Sequence, residues 1–185
     1  MARISPLAVA GVALIGGLWL AERARPLRRQ THDTTTRQVR NIAMGAGTML
    51  VVTAIEMPLL TRLAKNNRHG LVQAIRLPRP LQIVLGVAAM DYAYYWWHIA
   101  THKVPFLWRF HRVHHIDPDM DMTTALRFHA VDMLVSLPFR VAQVLLTGAD
   151  PTILTAHRRF FDASVLFHHS NLRLPGQWDE RLSLV

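Results

Sequence analysis

The chain has 185 residues, 51% of them hydrophobic, with 21 Lys and Arg against 12 Asp and Glu, 11 histidines and no cysteine. This length allows one domain or one helical bundle, and the lack of cysteine excludes disulfides, cysteine-ligated zinc, iron–sulfur clusters and a cysteine nucleophile. The basic excess alone fits nucleic acid or anionic lipid, but long apolar runs favour a membrane protein and argue against nucleic-acid binding.

Three apolar runs approach the roughly 20 residues needed to cross a bilayer. The first is 5–20, for which a signal peptide is the alternative, although no clear cleavage site follows it. The second is 41–60, and the third is 81–97, which ends in an aromatic cluster typical of a membrane–water interface. The connectors 21–40 and 61–80 are both basic, so the loop charges do not determine the orientation.

The stretch 131–167 is predicted to be a helical hairpin. Its halves, 131–146 and 151–167, are short and carry charges, so we expect the hairpin to enter the membrane and return rather than to form two spans. Asp150 is predicted to be the N-cap of the second half and Pro151 its first helical residue. The hairpin would bring His169 back to the side from which the chain left.

Five histidines lie close together in the polar region 98–130: His98, His102, His111, His114 and His115. The first two are four residues apart and share one face of a helix. The other three share an arc of about 100° on a second helix. Imidazole binds zinc, iron, copper or nickel, and this many histidines suggest two metal ions. A polar surface at the membrane interface is the alternative.

Other residues are candidates to join this cluster. We expect His169 to be a ligand, whereas His168 and His129 are weaker candidates. Asp91 lies two helical turns before His98 and is a candidate to hydrogen-bond a ligand imidazole, with an ion pair to a nearby arginine as the alternative. The three acidic residues between 117 and 121 are expected to form a solvated loop.

These residues together resemble the fatty acid hydroxylase / sterol desaturase superfamily, whose members are integral-membrane, non-haem di-iron enzymes. His98 and His102 match its HxxxH box, and His111, His114 and His115 match its HxxHH box. The resemblance is carried by DYAYYWWH at 91–98, LWRFHRVHH at 107–115, Thr123-Thr124 with Arg127 and His129, and His169-Ser170-Asn171.

The resemblance implies an all-α membrane bundle forming one domain over 1–185, with its histidine site facing the cytosol from a bacterial plasma membrane or an endoplasmic reticulum membrane. It implies two iron ions, for which zinc substitutes on purification, O2 as co-substrate, a separate electron donor and a sterol, fatty acyl or related lipid substrate. The implied ligands are His98, His102, His111, His114, His115 and His169, with His168 and His129 as further candidates.

The sequence therefore predicts a membrane-bound, O2-dependent lipid hydroxylase or desaturase. The last HxxHH box of the family has no counterpart before Val185. Two alternatives stay open: a truncated or catalytically inactive family member, and a non-enzymatic membrane metal-binding protein.

Overall fold

The computed structural model of the protein describes residues 6–183, and every regular element in this range is a helix, as predicted. A π-helical turn, Val52–Glu56, joins the second helix to the third, and a 3-10 helix, Met122–Leu126, precedes the seventh. The α-helices are α1 (Pro6–Ala24), α2 (Thr34–Val51), α3 (Met57–Asn66), α4 (Leu71–Ala74), α5 (Arg79–Lys103), α6 (Pro105–His115), α7 (Ala130–Thr147), α8 (Pro151–His168) and α9 (Trp178–Ser183).

Two helical segments of the described range are long and apolar enough to cross a membrane, namely Thr34–Ala74 and Ala130–Thr147. Neither is mostly buried, since only 11% and 33% of their apolar windows are buried, and side chains such as Leu50 and Leu146 are more than two thirds exposed. Exposed apolar surface on this scale is typical of contact with lipid or with a partner, so the structure is consistent with a membrane helical protein.

The predicted spans map onto helices, although their number stays a prediction. The run 41–60 lies inside Thr34–Ala74. The run 5–20 lies in α1 except for residue 5, which is outside the described residues. The run 81–97 lies in α5, whose apolar first half is followed by Asp91 and by aromatic and histidine side chains of lower hydropathy.

Helix α5 is the centre of the packing, since it contacts α4, α6, α7 and α8. The buried apolar core joins α3, α5, α7 and α8 through Leu60, Met90, Val144 and Ile153. Gly86 lets α8 approach closely, because a Cβ at this position would lie 2.7 Å from Cγ2 of Ile153. This packing fixes the end of α5, from which the first histidines project.

The turn between α7 and α8 has the predicted chemistry. Gly148 ends α7 in the left-handed conformation with φ 75°, which favours glycine. Asp150 is the N-cap of α8 and accepts hydrogen bonds from the backbone N–H of Thr152 and Ile153 at 2.9 and 3.0 Å, and Pro151 is the first helical residue. The two helices pack mainly against other helices rather than against each other.

The two basic connectors are attached by hydrogen bonds to the ends of the helical bundle. At one end, Leu27 N–H donates to Asn171 O at 2.8 Å, which ties the connector before α2 to the segment after α8. At the other end, Asn67 Nδ2 donates to Val144 O at 3.0 Å, which ties the connector after α3 to the end of α7. The two basic connectors therefore lie at opposite ends of the bundle.

Candidate metal centre

Four histidines from two consecutive helices converge at one end of the bundle. His98 and His102 come from the end of α5, and His111 and His115 come from α6. One nitrogen of each lies within 4.8 Å of the corresponding nitrogens of the others. The Nε2 atoms of His98 and His102 are 3.2 Å apart, and those of His111 and His115 are 3.1 Å apart. Ligands at about 2.0–2.1 Å from a metal ion have separations of this order.

Local sequence explains this convergence. Each pair is spaced by four residues and therefore lies on one helical face. Val104 is extended and Pro105 is the first residue of α6, so the chain changes direction between the pairs. The two helices then pack against each other, and their histidine faces meet.

A second pair of histidines lies beside the first four. Nε2 of His114 is 2.7 Å from Nε2 of His169, and the His114 ring is 5.0 Å from the His115 ring between centroids. Nδ1 of His169 lies 2.7 Å from the Val165 carbonyl, to which it donates. The lone pair of His169 is then on Nε2, which points toward His114. Helix α8 thus returns His169 to the cluster, as predicted.

His129 and His168 occupy different positions. His129 is the N-cap of α7, and its Nδ1 accepts a hydrogen bond from Val131 N–H at 3.1 Å. In the neutral form its proton is then on Nε2, so neither nitrogen has a free lone pair. His168 is exposed and contacts the Phe167 ring. Within residues 6–183, neither belongs to the groups of converging nitrogens.

Asp132 is the carboxylate beside the histidines. Its Oδ2 is 3.4 Å from Nδ1 of His111, and both residues are less than 5% exposed. Asp91, the candidate from the sequence, lines a groove between α5 and α8 and has no hydrogen bond to a histidine in the described part of the chain. Asp132 could have been noticed as an acidic residue in the first turn of α7.

The cluster is electrostatically suited to bind a cation. Burial, together with the neighbouring histidines, lowers the pKa of His98 and of His115 to about 4. Burial and the nearby His169 lower the pKa of His114 as well. These imidazoles are therefore neutral at pH 7, which is the form that binds metals.

The acidic segment after α6 is buried rather than solvated, contrary to the prediction. Arg37 of α2 donates to Asp117 at 2.9 Å and also binds Asp121, and both carboxylates are almost fully buried. Arg127 donates to the Val113 carbonyl at 3.0 Å and to Asn41 at 2.9 Å. This network attaches α2 to the end of α6 and so holds the histidine face in place.

A cavity of about 280 Å³ begins next to the second histidine pair. The Phe128 ring in its wall stacks on the His114 ring, with 4.4 Å between centroids. The cavity runs between α1, α2, α5, α7 and α8, and its mostly apolar walls include Met49, Val52, Phe161 and Leu166.

These residues fit one metal ion, and a second pair of histidines lies beside its ligands. The first four histidines supply converging neutral nitrogens. His114 is buried, and its Nδ1 has no hydrogen-bond partner among the described residues. A buried polar atom without a partner needs an explanation, and a ligand role beside the other histidines would supply one for His114.

Comparison with known proteins agrees with this geometry. A family model described as fatty acid hydroxylase matches residues 83–184, more than half of the chain and all of the candidate ligands. The chain belongs to the fatty acid hydroxylase family. The superfamily suggested by the histidine boxes is thereby confirmed.

The chain is also similar to two curated enzymes over part of its length. The human alkylglycerol monooxygenase is 31% identical over 71 residues, which are 38% of this chain and 16% of that protein. The ornithine lipid hydroxylase OlsE of Rhizobium tropici is 28% identical over 120 residues, which are 64% of this chain and 34% of that protein. The matches thus span about a third or less of the length of these relatives. No solved structure matches the chain significantly.

Proposed function

We propose that the protein is a membrane-bound, O2-dependent lipid hydroxylase or desaturase with a di-iron centre. The observation that carries the proposal is the convergence of six histidines from α5, α6 and the end of α8 beside a mostly apolar cavity. Membership of the fatty acid hydroxylase family and lipid-oxidising relatives support it.

We assign the ligands by their grouping. His98, His102, His111 and His115 would hold one ion, and His114 and His169 would belong to the second. We leave His129 and His168 out of this set because of their positions. Two iron ions bound here would supply the activation of O2, with electrons from a separate donor protein.

The rest of the site orients these ligands and shields the buried ones, His111 and His114, from solvent. Asp132 accepts the Nδ1 proton of His111, and the Val165 carbonyl accepts that of His169, so both present Nε2 lone pairs to the centre. The Phe128 ring stacks on His114 and also lines the cavity, so it is the point of contact between the cluster and the cavity. The apolar walls would hold an alkyl chain and exclude water next to the reacting C–H bond.

We further propose the membrane arrangement. The chain forms one membrane domain over 1–185, with α7 and α8 as a hairpin that enters the bilayer and returns. The histidine end faces the cytosol, where a soluble electron donor can reach it.

The test is iron content and lipid oxidation by the purified protein in lipid nanodiscs. We expect about two irons per chain, and loss of iron and of oxidised product in the variants His111→Ala and His114→Ala. His69→Ala is the matched control, because His69 is exposed in the connector at the other end and should keep both.

Two results would contradict the proposal. Full iron content in both histidine variants would refute the ligand assignment. Iron binding without oxidation of any sterol, fatty acyl or glycerolipid, with O2 and reductant present, would refute the enzymatic role.

A further inference from the structure

One part of the cavity wall carries a group of charged side chains, of which Glu56 and Arg140 are the most buried. Arg140 of α7 and Arg158 of α8 line the cavity, and Glu56 lies between them. Oε1 of Glu56 is 3.3 Å from Nη1 of Arg140 and 3.9 Å from Nη1 of Arg158. Glu56 is 2% exposed and belongs to the π-helical turn, a distortion that is frequent at functional sites.

Packing of the helices does not require charged side chains at these positions. Charged side chains inside an apolar helical bundle are costly and usually mark a site with a task. Asp162 binds Nε of Arg158 at 2.8 Å, so the two arginines and two carboxylates balance. They contribute no net charge to the cavity.

The two guanidinium groups nevertheless have unused hydrogen-bond donors. Nη2 of Arg140 contacts the Met133 sulfur at 4.0 Å, which is a weak acceptor. Nε of Arg140 is buried without a partner among the described residues, as are Oε2 of Glu56 and Nε2 of the nearby His157. A guanidinium can only donate, so the partner that Arg140 lacks is a hydrogen-bond acceptor.

One aromatic side chain lies between the charged group and the histidines. The Tyr94 ring lies between them, with its centroid 6.3 Å from that of His98 and 5.9 Å from Cζ of Arg140. Tyr94 also lines the cavity. A molecule held at Arg140 would therefore place a carbon several bonds away beside the histidine cluster.

Building on the proposed function, we propose that this cavity binds a lipid whose chain carries a neutral oxygen acceptor, a carbonyl group, beside Arg140 and Arg158. Arg140 and Arg158 donate hydrogen bonds to the carbonyl oxygen, and Glu56 holds the two guanidinium groups in place. A neutral acceptor fits better than a carboxylate, because the four side chains already balance and an added buried charge would be costly. The carbonyl would fix which carbon lies next to Phe128 and the histidines.

Binding of matched probes to the iron-free protein tests this proposal. Radiolabelled 2-dodecanone and dodecane have similar chains, and only the ketone has an acceptor; dodecanoate adds a charge. Binding is measured in nanodiscs, with the signal of empty nanodiscs subtracted. Because hydrogen bonds to charged groups contribute about 1.5–3 kcal/mol, we expect the ketone to bind roughly tenfold or more tightly than the alkane.

Two variants and one control locate the effect. Arg158→Met should remove most of the preference for the ketone. Arg159→Met removes the neighbouring arginine, which is exposed and lines a groove with Pro151 and Thr155 outside this cavity, and should bind as the wild type does. Val165→Phe fills the cavity without touching the charges and should weaken both probes, which covers the case that Arg158→Met does not fold.

The possible results are distinct. Equal affinity for ketone and alkane in the wild type, unchanged preference in Arg158→Met, or tighter binding of dodecanoate than of the ketone would overturn the inference. A protein that binds iron and oxidises lipid without this preference would overturn the inference alone. A protein with the preference but without iron would support the carbonyl site and contradict the proposed di-iron function.

Discussion

At the scale of single residues, Asp132 and Asp91 are two aspartates whose side chains have different surroundings and therefore different roles. Both lie on helices that carry or adjoin the histidines. Asp132 is buried beside Nδ1 of His111, whereas Asp91 faces the groove lined by Tyr92 and Phe160. A carboxylate that accepts the second imidazole proton fixes the tautomer and raises the basicity of the ligand nitrogen. Asp132 is therefore a positioning residue for the candidate metal centre.

Asp132→Asn should weaken metal binding by about 10–100-fold, because the amide carries no charge to stabilise the imidazole proton. The measurement is competition with a chelator, using Co²⁺ as the probe ion so that its visible spectrum reports the ligand field. Asp91→Asn is the matched control and should leave affinity and spectrum unchanged. Equal effects of the two substitutions would show that Asp132 acts only through general stability.

At the scale of elements, the contact between α5 and α8 sets where the histidines of α5 lie relative to His169. Gly86 is the closest point of this contact, and Ile153 opposite is fully buried. A methyl group at Gly86 would overlap Cγ2 and Cδ1 of Ile153, at 2.7 and 2.9 Å. Only one of these atoms is at the flexible end of the side chain, so the helices would have to move apart.

Gly86→Ala should lower the thermal midpoint of the purified protein. Overpacking costs about 1–3 kcal/mol, which exceeds the gain of up to about 1 kcal/mol from replacing a helical glycine. Ile153→Ala alone should also destabilise, by about 2–5 kcal/mol, because it leaves a cavity.

The double variant Gly86→Ala with Ile153→Ala should be more stable than the sum of the two changes predicts, since the new methyl fills part of the cavity. The thermal midpoints of the four proteins form a double-mutant cycle. Strict additivity would show that the two residues are not in contact.

Local signals explain which elements the sequence could predict. The turn at Asp150 and Pro151 was predictable because its hydrogen bonds join residues two and three apart. The burial of Asp117 was not, because its partner Arg37 lies 80 residues away and only the folded chain brings them together. The π-helical turn was missed for a related reason, as it lies inside a continuous apolar run.

The histidine cluster likewise has features that local sequence predicts and features that depend on contacts between distant residues. Its spacings are a local pattern, so the five candidate ligands on α5 and α6 could be predicted, and the turn after α7 indicated His169. The roles of His129 and Asp132 depend on which atoms meet: one caps α7 through its own Nδ1, and the other lies beside His111. Sequence spacing does not contain this information.

At the scale of the whole molecule, basic residues are concentrated at both ends of the helical bundle. Helix α7 has 18 residues, so its axis is about 27 Å long, close to the roughly 30 Å of a hydrocarbon core. The arginine-rich connectors before α2 and after α3 lie at opposite ends of the bundle. Loop charge therefore favours neither orientation strongly, and the proposed orientation depends on the position of the histidine cluster.

Orientation can be measured with single thiols, because the chain has no cysteine of its own. Arg29→Cys places a thiol in the exposed connector at the histidine end, and Arg68→Cys places one in the exposed connector at the opposite end. Each variant removes one arginine from its connector, so the two are matched in charge. We expect a membrane-impermeant maleimide to label Arg68→Cys in right-side-out vesicles and Arg29→Cys in inside-out vesicles.

The pattern of labelling separates three arrangements. The reverse pattern would place the histidine cluster outside the cytosol, where a cytosolic electron donor cannot reach it. Labelling of both thiols from one side would mean that the two ends of the bundle face the same compartment, which contradicts a spanning α2–α3 segment. The expected pattern requires that segment to cross the bilayer, because Leu27 and Asn67 anchor the two connectors to opposite ends of the fold.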